Sequence, residues 1–254
     1  MIRAERFNLI TSLADEMDII TLDELAERLN VSVATVRRDV EELCTQGIVQ
    51  KTRGGIIFCN KKHTAEPSNQ LRRLMNMEAK KRIAQAAFHY ITDNSYYLFD
   101  SGSTVHELIK LIPKHAHISV ATYDLSFLPE LNALENADVF ILGGQLRRGY
   151  MACHGNYTES FLEQMSANVA FIGVDSVDLN KGIMGLNSYD IRLKQKMIDN
   201  SAHTILLCDH SKFEKHGFFN IHSFDGIDLI ITDSETDPHI IEVLKGKGLE
   251  VIVV

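Results

Sequence analysis

Seven short, predominantly apolar runs constrain this chain more than any other feature: Tyr96–Phe99, Ile118–Ala121, Val139–Leu142, Val169–Ile172, Thr204–Leu207, Leu229–Ile231 and Val251–Val254. Each is too short for a stable helix, and none leaves an alternate face for solvent, so they suit strands covered on both sides. Helical or loop segments separate them, beginning with the stripe Ile83, Ala86, Ala87, Tyr90 and Ile91. Strands alternating with helices predict a mainly parallel sheet in an α/β domain.

The first sixty residues have a different texture. Phe7, Ile10, Leu13 and Ala14 recur at helical spacing. Thr21-Leu22-Asp23-Glu24 has the capping-box arrangement, followed by a helix burying Leu22, Leu25, Ala26 and Leu29. Asn30 tolerates the left-handed conformation that a tight helix-helix turn requires. Ser32 can cap the next helix, whose stripe is Val36, Val40 and Leu43 and which Gly47 stops. Ile48–Lys51 and Ile56–Phe58 flank Arg53-Gly54-Gly55 as a β-hairpin would. Together these elements predict a winged helix-turn-helix.

The formal net charge of −8 argues against nucleic acid only if the charge is spread evenly. It is not. Residues 31–62 carry six basic and three acidic side chains, whereas residues 1–30 are net −4 and residues 63–254 net −7. Local concentration of positive charge is what binds a polyanion. The second helix of the motif can enter a major groove while the first braces it. Ser32, Ala34, Thr35, Arg37 and Arg38 fall on or near its outward side, and Lys51 and Arg53 lie on the wing. One arginine can read a guanine edge, worth roughly 1–3 kcal/mol of discrimination, and the other can hold a phosphate. A bland alternative has Arg37 and Arg38 pairing with Glu41 and Glu42 along a solvated helix.

Residues 59–77 lose periodicity and become polar, which suggests a linker ending in a helical turn. The predicted organisation is residues 1–58 for DNA reading, a linker over 59–77, and residues 78–254 for an α/β domain.

Val31-Ser32-Val33-Ala34-Thr35-Val36-Arg37-Arg38-Asp39-Val40, with Leu43, Gly47 and Gly54-Gly55, resembles the N-terminal signature of the DeoR family of bacterial regulators. The resemblance continues through nearly all the remaining chain. It implies a second domain related in fold to ribose-5-phosphate isomerase, a sugar-phosphate effector, and usually a repressor role.

Phe99-Asp100-Ser101-Gly102-Ser103-Thr104 lies between an apolar strand and a helix read over Val105–Ile112. Such a loop turns free amides, hydroxyls and a helix N-terminus toward one spot, which favours phosphate. It is neither a Walker loop nor a dinucleotide fingerprint. The resemblance adds that D-x-G-S-T is similar to the isomerase-like phosphate loop. Other strand ends should border the same crevice. These supply Thr122 and Tyr123, Gly143 and Gly144 (where a ligand can approach bare backbone), Asp175, and Lys212, which can neutralise a phosphate. Asp100 or Asp175 can accept from sugar hydroxyls.

An isomerase with an accessory helical domain is the competing reading, and a protein-binding winged helix with a degenerate second domain is the third. Gly173–Asp178 resembles the isomerases' acidic stretch, with Asp175 matching one carboxylate. Ile172 replaces another, and the expected Glu-Lys pair stands as Gln195-Lys196. Proton transfer between sugar carbons needs a placed base, so no catalytic residue is assigned. Cys208-Asp209-His210 are neighbours pointing in different directions rather than an assembled triad.

The four cysteines form no C-x-x-C pair, the eleven histidines show no H-E-x-x-H, and His115-Ala116-His117 sits beside Pro113 in a loop, so neither a metal nor a cofactor is expected. No apolar run approaches eighteen residues and the charged N-terminus lacks a signal core, which predicts a cytoplasmic protein without a membrane partner. The expected partners are double-stranded operator DNA, a phosphorylated sugar or polyol, and further copies of the chain in a homodimer or homotetramer.

Overall fold

The computed structural model describes residues 2–15, 17–45, 48–52, 54–58 and 69–254. It divides into two compact units, Met1–Met75 and Asn76–Val254. Arg53, Gly47 and most of the expected linker lie outside the described residues.

The first unit contains α1 (Arg3–Ser12), β1 (Ile19–Thr21), α2 (Leu22–Leu29), α3 (Val33–Thr45), β2 (Val49–Thr52), β3 (Gly55–Phe58) and α4 (Asn69–Leu74). Thr21 caps α2 as its spacing predicts, its hydroxyl accepting from the Glu24 amide at 3.1 Å while Glu24 accepts from the Thr21 amide at 3.0 Å. Asn30 closes α2 at φ 50° and ψ 50°, the left-handed turn that sets the angle to α3. Ile10, Leu25, Leu29, Val36, Val40 and Leu43 form the core beneath.

Strand β1 is not apparent in the sequence, because three residues are too few to show a period. It pairs antiparallel with β3, making a three-stranded wing in the order β1-β3-β2. That pairing explains the second wing glycine: a Cβ at Gly55 would lie 2.6 Å from the Ile20 carbonyl oxygen. Gly54 turns the hairpin at φ 97°.

In the second unit α5 (Met77–Phe88) leads into β4 (Ser95–Phe99), α6 (Ser103–Ile109), β5 (Ile118–Thr122), α7 (Leu128–Leu131) and β6 (Asp138–Ile141). A small hairpin follows, β7 (Gln145–Arg147) and β8 (Ala152–His154), then α8 (Asn156–Glu163) and β9 (Ala167–Gly173). The remainder is β10 (Ser176–Asp178), β11 (Gly182–Gly185), α9 (Ile191–Asp199), β12 (Ser201–Leu207), β13 (Phe219–His222), β14 (Leu229–Thr232), α10 (Pro238–Gly246) and β15 (Glu250–Val253).

All seven expected strands enter one sheet, ordered β15-β14-β12-β9-β4-β5-β6, and every pairing in it is parallel. Alternate residues of each strand feed opposite cores. Tyr97, Phe99, Val120, Phe171, Ile205 and Ile231 pack with α5 and α6, and Leu98, Ile172, Leu206 and Ile230 pack with α9 and α10. Two covered faces are why these runs have no polar alternation. The sequence did not disclose β10-β11-β13, an antiparallel sheet formed beyond the end of β9.

The chain leaves β4 toward β5 and β6, then returns through β9 on the other side of β4. Strand order therefore reverses between β4 and β9. Ligand crevices in open α/β sheets open beyond the carboxyl ends of strands at such a switch point.

Candidate DNA-reading face and effector crevice

On α3, the side opposite the core presents Ala34, Arg37 and Arg38, all exposed. Neither arginine makes a hydrogen bond or ion pair among the described residues. The solvated-pair alternative fails on geometry. Glu41 instead meets Lys51 at 3.0 Å, and Glu42 meets Arg3. Ser32 and Thr35 share a hydroxyl contact of 2.9 Å at the start of the helix, and the Ser32 hydroxyl accepts from the Thr35 amide at 3.2 Å. Lys51 lies in exposed contact with Glu41, a pairing that competes only weakly with a phosphate.

Orientation of α3 depends on an acidic residue whose burial carries no local signal in the sequence. Asp39 is buried, at 2 % exposure, on the inward side of the helix. It accepts from Arg6 of α1 through two nitrogens, at 2.6 and 3.0 Å. The contact fixes the bracing helix to the reading helix with a bidentate geometry that a lysine cannot reproduce.

At the switch point of the second unit, Asp100 follows β4 and is completely buried. Its carboxylate accepts from the Tyr123 hydroxyl, from the Gly173 amide at 2.8 Å, and from Lys194. Lys194 also donates to the Gly173 carbonyl at 2.8 Å and lies 3.9 Å from Asp190. Burial alone would lower the Lys194 pKa, but Asp100 and Asp190 outweigh it and hold the ammonium above its ordinary value. Burial, and then the Asp100 charge, push the Tyr123 phenol well up, so it stays protonated and donates.

Asp100 thus differs from its expected role. With both oxygens engaged and no exposed surface, it organises the crevice floor rather than accepting from a sugar. No local motif marks Lys194; the isomerase-like pair falls instead on Gln195 and Lys196. Those two are occupied elsewhere: Gln195 donates to the Ile221 carbonyl at 2.7 Å, and Lys196 pairs with Glu163. The available signal was a lysine on the apolar stripe of a helix, between Leu193 and Met197.

Helix α6 starts at Ser103, two residues earlier than its apolar pattern suggests, so Ser103 and Thr104 belong to its first turn. Ser101 donates to Asp124 at 2.7 Å, which ties this loop to the end of β5. Ser101, Gly102 and Ser103 are partly open, whereas Thr104 is buried. Thr122 is fully buried, and its hydroxyl accepts from the Asp124 amide at 3.1 Å. Gly144 has a structural cause different from the one expected. A Cβ there would meet the Thr158 hydroxyl at 2.2 Å and the His154 carbonyl at 2.7 Å. The close approach at Gly144 is to the protein's own chain; Gly143 faces open space.

Beyond β9, Asp175 accepts from the Leu186 amide at 3.1 Å. After β12, buried Asp209 accepts from Asn76 at 2.8 Å and from the Ser211 amide at 3.1 Å. Burial would raise its pKa, but Lys212, the Ser211 hydroxyl and Lys80 together hold it below the ordinary carboxylate value. Polar residues thus stand at the carboxyl ends of three adjacent strands, β4, β9 and β12, from Ser101 to Lys212, and a crevice is expected there from the topology.

Among the described residues, one group has the spacing of metal ligands: His210, Asp233 and Glu235. It is closed by its own hydrogen bonds. His210 Nδ1 lies 2.9 Å from Asp233, whose two oxygens also accept from the His210 and Glu235 amides at 2.7 and 3.0 Å. His115 pairs with Glu135 at 3.0 Å. No helix among the described residues is long and apolar enough to cross a membrane.

A helix whose two outward arginines have no partner among the described residues is suited to phosphates and base edges, and the switch point of the parallel sheet in the same chain is where a small ligand can bind. The class so defined is a DNA-binding regulator with a sensor domain. Residues 6–62 match the DeoR-like helix-turn-helix domain, and residues 75–234 match the DeoR C terminal sensor domain. The chain belongs to the DeoR family of transcriptional regulators. It is similar to the HTH-type transcriptional regulator GlpR of Haloferax volcanii, 31% identical over 99% of this chain and 98% of the relative. The glycerol-3-phosphate regulon repressor of Escherichia coli is 27% identical over 98% of each chain. Among solved structures, ribose 5-phosphate isomerase A of Methanocaldococcus jannaschii aligns with 54% of this chain and 55% of its own, at TM-score 0.40 and 14% identity. The protein is a regulator of transcription that binds DNA, and not an enzyme.

Proposed function

We propose that this protein is a repressor of a sugar or polyol catabolic operon whose operator affinity changes when a phosphorylated sugar or polyol occupies the second unit. The observation carrying the sensor half is the β4/β9 switch point, where the Ser101–Thr104 loop follows β4 and Lys212 follows β12, both at the carboxyl ends of the parallel strands. First-turn amides of a helix have no intrahelical partner and can donate to phosphate oxygens, while Lys212 supplies charge. In this reading Asp175 accepts from sugar hydroxyls, and Tyr123 and Asp100 hold the floor on which the ligand rests. The relatives named as a glycerol-3-phosphate regulon repressor and a putative aga operon repressor support the ligand class.

On the DNA side, Arg37 and Arg38 contact base edge and phosphate, Ser32, Ala34 and Thr35 approach near the helix start, and the wing, through Lys51 and Arg53, meets the flanking backbone. A homodimer or homotetramer presents its α3 helices to successive major grooves, about one DNA turn apart. The effector acts only through different affinity for the DNA-competent and DNA-incompetent arrangements. The cell compartment consistent with this role is the cytoplasm.

Two measurements test the reading. Arg37→Ala with Arg38→Ala should abolish salt-sensitive binding to operator DNA while leaving the melting profile intact; unchanged affinity removes the DNA-reading assignment. A thermal-shift screen of polyol, pentose, hexose and amino-sugar phosphates should find a ligand that also changes operator affinity. At about 100 times its dissociation constant such a ligand stabilises by roughly 2.7 kcal/mol. Operator binding indifferent to every compound removes the sensor half alone.

A further inference from the structure

We infer that Lys215 is a second cationic ligand for the anionic group of the effector, acting beside Lys212 at the β12 end of the crevice. The inference rests on the sensor reading above and adds a residue to it.

Lys215 lies in the stretch between the 3-10 turn His210–Lys212 and β13, and it is partly buried. The backbone just beyond it packs closely against β10 and β11. A Cβ at Gly217 would lie 2.3 Å from Met184 and 2.7 Å from the Ser176 hydroxyl, and the Phe218 amide donates to the Gly185 carbonyl at 2.9 Å. Lys215 is therefore carried on a segment pressed against β10 and β11, close to Asp175 at the end of β9.

The charges around it are arranged unusually. Lys212, Asp209, Asp175 and Glu214 all act on Lys215 electrostatically. Yet neither Lys215 nor Lys212 makes an ion pair or a hydrogen bond among the described residues. Of these carboxylates, Asp209 accepts from Asn76 and Ser211 and Asp175 from the Leu186 amide, while Glu214 is exposed to solvent. Two ammonium groups thus share a half-buried locality with no counter-ion in contact. Burial first, and repulsion from Lys212 second, push the Lys215 pKa down. A third polar group nearby is also unsatisfied. The Ser176 hydroxyl is 1 % exposed and has no hydrogen-bond partner among the described residues.

Holding a desolvated cation against a like charge is unfavourable, and an arriving anion relieves both penalties at once. A phosphate dianion matches two lysines in charge and accepts hydrogen bonds from both. A neutral sugar would leave the repulsion in place. The same argument makes the site selective for the phosphorylated member of a sugar pair.

The test uses the full-length chain and its variants K215Q, K215R and K212Q, with Lys247→Gln as an exposed control. The probes are glycerol 3-phosphate, ribose 5-phosphate, fructose 1-phosphate and glucose 6-phosphate, each with its unphosphorylated parent, and dissociation constants are read by calorimetry. The phosphate that binds the wild type should bind K215Q at least about tenfold more weakly, the loss expected for one charge-assisted contact. K215R should stay close to wild type, K247Q should be unchanged, and the unliganded melting midpoints should coincide. K215Q binding within about twofold of wild type while K212Q is impaired overturns the role of Lys215 and leaves the sensor reading standing. A wild type that binds none of the probes, or binds parent and phosphate equally, overturns both.

Discussion

Lys194 on α9 and Asp100 after β4, 94 residues apart in sequence, form an ion pair at the switch point with side chains 4 % and 0 % exposed. The pair joins the helix layer to the centre of the sheet. It also fixes the Gly173 peptide from both sides, through its amide to Asp100 and its carbonyl to Lys194.

Lys194→Met should destabilise the second unit by roughly 3–5 kcal/mol, because Asp100 is left buried without its cation. Lys194→Met combined with Asp100→Asn should recover much of the loss, since the uncompensated charge has gone. Urea unfolding of the three proteins measures this; a single variant costing under about 1 kcal/mol contradicts the assignment. The Lys194 pKa is raised, so the stabilisation is complete below the ordinary lysine value and fades only as pH climbs through the raised one. The pair therefore adds no pH dependence near neutrality.

His210 should supply that dependence instead. Burial would lower its pKa, but the hydrogen bond to Asp233, with the charges of Asp233, Asp209 and Glu235, raises it above 6.5. A raised histidine contributes stability fully present below its unfolded value and lost as pH rises through the folded one. The melting midpoint of wild type relative to His210→Gln should be highest at acidic pH and shrink through neutrality. A difference constant from pH 5.5 to 8 would refute the coupling.

Asn30 and the wing glycines give separable predictions for the DNA-reading unit. Asn30→Ala should cost about 1 kcal/mol, because alanine resists the left-handed turn, and Asn30→Gly should be near neutral. Thermal unfolding distinguishes them. Equal losses in both would point to the asparagine side chain rather than the backbone.

Gly55→Ala should cost more than a surface substitution does, about 1–3 kcal/mol, since the new methyl meets the Ile20 carbonyl. Gly54→Ala has free space but a φ of 97°, so its cost is backbone strain alone. If the β1–β3 pairing positions the wing, Gly55→Ala should also weaken operator binding, read by fluorescence anisotropy. Intact affinity together with lost stability would separate the wing's packing from its DNA contact.

The sequence by itself determined what is local or periodic. The Thr21 capping box, the left-handed Asn30, the α3 stripe and the seven doubly covered strands follow from neighbours within a few residues. So does the outward position of Arg37 and Arg38, because helical spacing fixes which side of α3 they occupy. Tertiary structure alone decided which polar groups meet. Asp39 finds Arg6 across 33 residues, Asp100 finds Lys194 across 94, and β1 exists only because β3 lies beside it. A buried charge looks in sequence like an exposed one, and its cost is offset by a partner whose distance along the chain no periodicity records. That is why Asp100 and Gly144 were legible as residues of the crevice loops but not as its floor and its frame, and why Lys194 and Lys215 were not legible there.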